Sequence, residues 1–171
     1  MSEEPIHLVP WDDAWPRLFE AERLQLQSVL RPWLDGPIEH IGSTAVPGLT
    51  AKPVIDIMAG VHDLPTSMPA LDALVALDYM YFPYRPDVMH WFCKPSPAHR
   101  THHLHLVPLD SPLWRERLAF RDHLRASSSA ANAYAGLKTE LAERYRFDRE
   151  AYTDAKGAFI RSILNAHRAR E

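Results

Sequence analysis

Cysteine is almost absent from this 171-residue sequence: Cys93 stands alone, so no internal disulfide can form and no cysteine-based zinc site can be built. A reducing compartment, the cytoplasm, is the expected setting. Long apolar runs are absent too, since no stretch approaches the roughly 18 to 20 consecutive apolar residues of a membrane span. The opening Met1-Ser2-Glu3-Glu4-Pro5 is acidic where a secretion signal would be basic and then apolar. Nor is there an excess of positive charge: 19 Lys and Arg stand against 22 Asp and Glu, a formal net charge of −3. Without a global positive field, duplex nucleic acid and anionic membranes are not expected partners, and an anionic ligand must meet a local patch. What is present is ordinary globular composition, 46% hydrophobic and 24% charged, which excludes disorder and fibrous folds. The length predicts one domain over residues 1–171, with a core at about 6–110 and C-terminal helices at about 111–167.

Fifteen prolines punctuate the chain. Ile6 to Val9 reads as a short strand stopped by Pro10, and Asp12 or Asp13 caps a helix with Trp15, Leu18, Phe19, Leu26, Val29 and Leu30 at helical spacing. The Asp35-Gly36-Pro37 turn leads into a strand at Ile38 to Ile41, and Pro53 opens the apolar run Val54 to Val61, which reads as a central strand interrupted by one charge, Asp56. A helix is predicted over about Ser67 to Leu77, strands at Tyr79 to Pro83, Met89 to Lys94 and His103 to Val107, and three helices after Ser111, the last from about Asp148. The fold class is therefore α+β, a mixed or antiparallel sheet of about five strands with helices packed on it.

Two segments carry chemistry. In Ile41-Gly42-Ser43-Thr44-Ala45-Val46-Pro47-Gly48, a glycine-serine turn after a strand offers backbone N–H groups and hydroxyls to a phosphate, and the following strand carries Asp56, a carboxylate able to hold a metal beside it. A tight turn whose amides bond a buried aspartate is the structural alternative. No Gly-Lys-Ser/Thr closes a Walker motif, and no Gly-x-Gly-x-x-Gly occurs. In the second segment, His99 to Val107, alternation turns His103 and His105 to one face and Leu104 and Leu106 to the core, so two imidazoles can share a metal or a phosphate. Arg100, with Lys94 and Arg85, supplies local positive charge, and Lys52 is either a solvated loop charge or a phosphate contact. Of Glu39 and His40 only one can face the site, and His40 is chosen as ligand or general acid/base. Tyr79, Tyr81, Tyr84, Trp91 and Phe92 are expected mostly in the core or in cross-strand pairs, with base stacking as the alternative, and Arg117, Arg121, Arg125, Arg144, Arg146 and Arg149 on a solvated face.

These residues resemble a known family. Glu39-His40-Ile41-Gly42-Ser43-Thr44-Ala45-Val46-Pro47-Gly48-Leu49 with Lys52-Pro53-Val54-Ile55-Asp56-Ile57, then Thr101-His102-His103-Leu104-His105-Leu106, Trp114, Phe120-Arg121-Asp122 and Tyr134-Ala135-Gly136-Leu137-Lys138, are similar to the GrpB family over about Val9 to Leu164. The resemblance implies the polymerase-β-like fold of the nucleotidyltransferase superfamily, and a similar domain is fused behind dephospho-CoA kinase in some bacteria. Active members of that superfamily pair two carboxylates on the strand after the Gly-Ser turn, with a third acid on a later strand. Here Met58 stands where the second acid would be, and His103 and His105 where the third would be.

The reading that follows is metal-assisted nucleotidyl or phosphoryl transfer on a small nucleotide. Asp56, His105 and His40 are its catalytic candidates; Gly42, Ser43, Thr44, Lys52 and Arg100 its phosphate contacts; Asp56, His103 and His105 its metal ligands. One aspartate with histidines suits Zn²⁺, Mn²⁺ or Ni²⁺ better than Mg²⁺. A degenerate module binding a nucleotide or CoA-like ligand, and a histidine-dependent metallohydrolase, remain as alternatives.

Overall fold

The computed structural model describes residues 4–170. A first helix α1 (Trp15–Leu30) precedes β1 (Leu34–Ile41), a single 3₁₀ turn (Ser43–Ala45), β2 (Ile55–Val61), two short helices α2 (Leu64–Ser67) and α3 (Ala70–Leu74), then β3 (Met80–Phe82), β4 (His90–Pro95) and β5 (Arg100–Pro108). Four helices finish the chain: α4 (Pro112–Ala126), α5 (Ser128–Arg144), α6 (Arg149–Ala155) and α7 (Gly157–Arg168). The sheet order is β1-β2-β5-β4-β3, with β2 and β5 parallel and every other neighbouring pair antiparallel. The fold is α+β with a five-stranded mixed sheet flanked by helices.

Period-2 alternation divides the sheet into two unlike faces. One face carries Ile55, Ile57, Ala59, Phe92, Leu104 and Leu106, which pack with Leu26 and Leu30 of α1 and Leu74 of α3 into the main core. Leu104 and Leu106 are fully buried, each worth about 1.5–3 kcal/mol of transfer free energy. On the other face, Met58 and Val107 meet Leu113 and Trp114 of α4. This second cluster covers only part of the face. The rest of it, around Asp56 and His103, meets the helical half of the chain through polar groups.

Helix boundaries follow capping chemistry. Ser111, Ser127 and Asp148 each accept a backbone N–H with their side chains at the starts of α4, α5 and α6. Several expected elements differ. The segment Ile6 to Val9 contributes a single bridge, Val9 to Ala51, and Ile6 packs with Leu141 and Tyr152 instead. Strand β1 runs through Asp35-Gly36-Pro37, accommodated by a register shift between Leu34 and Ile38 at the sheet edge, where a proline costs no ladder bond on the open side. The expected helix from Ser67 to Leu77 is two short pieces and a 3₁₀ turn, divided at Pro69. The last helix breaks at Lys156, giving four C-terminal helices rather than three.

Candidate functional site

The parallel pairing of β2 with β5 sets Asp56 opposite His103 and Met58 opposite His105, all four on the face turned away from the main core. His103 Nδ1 lies 2.9 Å from Asp56 Oδ1, and His105 Nε2 lies 3.7 Å from the same oxygen. His105 Nδ1 touches the Met89 sulfur at 3.4 Å. The Nε2 atoms of both histidines are buried and find no hydrogen-bond partner among the described residues, unusual for polar atoms inside a protein. The Gly42-Ser43 turn abuts this carboxylate. Gly42 has φ +73°, and a Cβ built there would lie 2.6 Å from Asp56 Oδ2, so only glycine lets the turn approach this closely.

Burial alone would raise the Asp56 pKa, but the hydrogen bond to His103 and the imidazole of His105 close by hold it well below the usual carboxylate range. His105 is pushed down to about 4, chiefly by burial, and is a neutral imidazole at neutral pH. The site therefore presents one ionised carboxylate.

A ring of cationic side chains comes from the helices and the loop before β2. Arg117 of α4 lies near Asp56, Arg85, Tyr84 and Tyr134, and burial lowers its pKa. Lys138 of α5 is 2% exposed, donates to the Thr50 carbonyl and sits 4.9 Å from the Tyr134 ring centroid. Lys52 and Lys156 lie 5.1 and 4.4 Å from the centroid of the Tyr152 ring. Ser43 neighbours Tyr134, whose hydroxyl is pushed up to about 12, first by burial.

The expected site residues divide into two groups. Gly42, Ser43, Asp56, His103 and His105 come together, with Lys52 at the cationic ring. His40 and Thr44 point elsewhere: His40 lies on the α1 side, stacked 4.8 Å from Phe19, with its Nε2 2.9 Å from Thr44 Oγ1, and both line a separate cavity of about 260 Å³. Thr44 Oγ1 also donates to the Val54 carbonyl, so this pair braces the turn from behind. Glu39, not His40, shares the β2 face with Met58, and it is bonded by Arg121 at 2.6 Å. Arg100 donates to the Pro97 carbonyl and stands over the Trp91 ring, which in turn lies 5.1 Å from His103. Lys94 faces the other way, paired at 2.6 Å with Glu22 of α1, which also accepts from the Tyr79 hydroxyl.

Arg117 and Arg121, expected on a solvated face, both turn inward. Their i, i+4 spacing continues the buried row that starts at Leu113, a signal present in the sequence. Lys138 follows Tyr134 by the same step on the buried stripe of α5, yet no residue near it in sequence marks it as part of a site.

The resemblance to the nucleotidyltransferase superfamily implies a divalent metal beside Asp56. Among the described residues no three His, Cys, Asp or Glu side chains gather to hold an ion. Asp56 and the unpartnered His105 Nε2 face one another, a two-donor set. Met58, where a second acid would stand, is fully buried between Ile41, Met89 and Trp114. Two protein donors suit a cation that arrives with a phosphate ligand and keeps water and phosphate oxygens in its shell, rather than a resident transition metal.

The profile of the GrpB protein family matches residues 5–166. A UPF0157 protein of Pseudomonas aeruginosa is 41% identical, over 95% of this chain and 68% of its own length. The crystal structure of the conserved protein GrpB from Enterococcus faecalis superposes with a TM-score of 0.84 at 31% identity, covering 94% of this chain and 96% of that one. Dephospho-CoA kinase of Mycolicibacterium paratuberculosis is 27% identical over 94% of this chain and 46% of its own length. The Cid1 poly(U) polymerase, crystallised with MgGTP, shares the fold at a TM-score of 0.56 and 13% identity, over 79% of this chain and 44% of that one. Among the described residues no helix is long and apolar enough to cross a membrane.

Proposed function

We propose, from the premise that the chain belongs to the GrpB family, that it is a cytoplasmic nucleotidyltransferase-type protein which takes the phosphates of a small nucleotide at the Gly42-Ser43 turn and transfers a nucleotidyl or phosphoryl group beside Asp56. The observation that carries this reading is the contact of that turn with a single ionised carboxylate, at a glycine which no other residue can replace without displacing the acid. Backbone N–H groups and the Ser43 hydroxyl donate to phosphate oxygens. His103 donates through Nδ1 to Asp56 and so fixes the carboxylate; its Nε2 lone pair is then free to accept the proton of the attacking hydroxyl. A divalent metal, Mg²⁺ or Mn²⁺ entering with the nucleotide, would be held by Asp56 and His105 and would neutralise the charge that develops on the transferring phosphate. His40 and Thr44 act as positioning residues that hold the turn from the α1 side.

Purified protein mixed with Mg²⁺ or Mn²⁺ and each nucleoside triphosphate should bind one of them and release pyrophosphate or a phosphorylated product, and Asp56→Ala should abolish product. Failure to bind any of them would sink the reading. The burial of Met58 in place of a second acid favours one other reading, a binding module that holds a nucleotide or CoA-like ligand without turnover. Tight binding without product, unchanged in Asp56→Ala, would establish that one instead.

A further inference from the structure

The cavity on the α1 side of the Gly42-Ser43 turn takes no part in the chemistry described above beyond the wall that His40 and Thr44 give it. Its volume of about 260 Å³ falls just below the roughly 300–1,000 Å³ of ordinary small-molecule pockets, so it admits one or two rings with a short arm and no more. Its walls are flat. Phe19 and His40 lie nearly parallel, 8° apart with ring centroids at 4.8 Å, and Trp11, Pro16 and Pro47 add further ring faces. Burial pushes His40 down to about 4, so at neutral pH its ring is uncharged and serves as another aromatic plane.

The two arginines at the rim are unequally paired. Arg121 Nη1 donates to Glu39 at 2.6 Å and to the His40 carbonyl at 3.0 Å, while its Nε donates to Asp122 at 2.8 Å. Arg125 donates through Nε to the Ala45 carbonyl at 2.8 Å. Among the described residues the acid nearest its terminal nitrogens is Asp122, 3.9 Å away and already held by Arg121. A guanidinium recognises a carboxylate through paired N–H groups, and Arg125, which lines the cavity and is 40% exposed, keeps its terminal nitrogens for one.

We propose that this cavity is a regulatory site for a small planar aromatic carboxylate, with its ring against Trp11 and Phe19 and its carboxylate on Arg125. The regulatory half rests on the reading of the Gly42-Ser43 turn as the phosphate site. Thr44, Ala45 and Pro47 continue directly from that turn, and the Arg125 bond to Ala45 ties them to α4. A ring seated there packs against the back of the turn and holds it in place, and a segment ordered by one ligand binds the next more tightly. A phosphate group suits the rim less well: Glu39 lines the same cavity and Asp122 lies beside Arg125, so a doubly charged group meets two carboxylates where a single negative charge is matched by one guanidinium.

Isothermal titration calorimetry on the intact chain, with indole-3-acetate, indole-3-acetamide and acetate as probes, tests the proposal. The acid should bind with millimolar or tighter affinity and at least about tenfold more tightly than the amide, whose ring is the same and whose charge is gone; acetate should give no heat. Arg125→Gln should bring acid and amide to equal affinity, and because the residue lies at the surface a melting temperature near that of wild type shows that the variant folds. Phe19→Ala should weaken both. No binding of the acid, acid and amide bound alike by wild type, or an unchanged preference in folded Arg125→Gln overturns the site. With indole-3-acetate saturating, nucleoside triphosphate affinity should rise about fivefold or more, and the acid should gain the same factor when the nucleotide is saturating. Unchanged affinities overturn the regulatory role. A chain that binds no nucleotide refutes the proposed function and this role together, while the preference for acid over amide still decides the cavity by itself.

Discussion

Replacing Gly42 by alanine separates two physical effects that coincide at the site. Gly42 sits at φ 73°, ψ −172°, a region open in practice to glycine alone, and forcing another residue into it costs about 1–3 kcal/mol. The new methyl would also meet Asp56 Oδ2 at 2.6 Å and Asp56 Cβ at 3.0 Å. The first is closer than a side chain tolerates and the second is tight, and overpacking of this kind adds about 1–3 kcal/mol. Gly48 is the internal control, because it too has positive φ, +81°, while a Cβ there meets nothing within 4 Å. Urea denaturation should thus rank Gly42→Ala below Gly48→Ala by roughly the overpacking cost, about 1–3 kcal/mol. At about 2–4 °C per kcal/mol for a chain of this size, melting curves resolve that gap. Gly42→Ala should also weaken nucleotide binding, since relief of the contact moves either the turn or the carboxylate. Equal destabilisation by the two substitutions would refute the close approach of turn and acid, and with it the mechanical link between phosphate site and carboxylate.

Other outcomes follow from single contacts. Glu22→Gln leaves the Lys94 ammonium facing a neutral amide in a largely buried setting, and should cost about 2–4 kcal/mol in chemical denaturation without changing ligand affinity. Met58→Asp would bury an unpaired carboxylate against Trp114 and should destabilise the protein by more than about 3 kcal/mol, measured by the same method, rather than create a two-acid centre. Burial first, then neighbouring cations, bring Lys138 and Lys156 down to about 7 in the folded protein. Between pH 7 and about 9.5 the unfolded chain holds protons on Lys138 and Lys156 that the folded chain lacks, so their contribution to stability should grow with rising pH, traced as melting temperature against pH in wild type and in Lys138→Met. Dialysed protein purified without a metal-affinity tag should carry well below one equivalent of transition metal by elemental mass spectrometry; a stoichiometric metal lost in His103→Ala/His105→Ala would show a third donor that the present geometry lacks.

Local pattern made much of the fold legible. Alternation in Thr101 to Val107 separated the core leucines from the site histidines because a strand's period is fixed by its backbone, and the Ser111, Ser127 and Asp148 caps marked helix starts because each satisfies an N–H within its own turn. The break at Lys156 was not legible, since the residues on both sides favour helix and tertiary packing chooses the turn. The side of the sheet that His40 occupies was equally hidden: alternation shows that Glu39 and His40 diverge, but which of them meets α1 depends on Phe19, which is 21 positions away and stacks on His40. The inward arginines and lysines were missed for a related reason. A cation on a helix reads as solvated unless its partner is known, and Lys138 finds its acceptor in Thr50, 88 residues earlier.

The register of β5 against β2 ties the accuracy of the site to the soundness of the molecule. Sliding β5 by one residue along β2 would drive His103 and His105 into the space of Leu104 and Leu106 and lift the leucines out to meet Asp56. Such a chain could not form its main core. Mispaired molecules are thereby removed as failures of folding before they can persist as well-folded but inert copies, so that cellular quality control, which senses exposed apolar surface and knows nothing of phosphate chemistry, in effect proofreads the site.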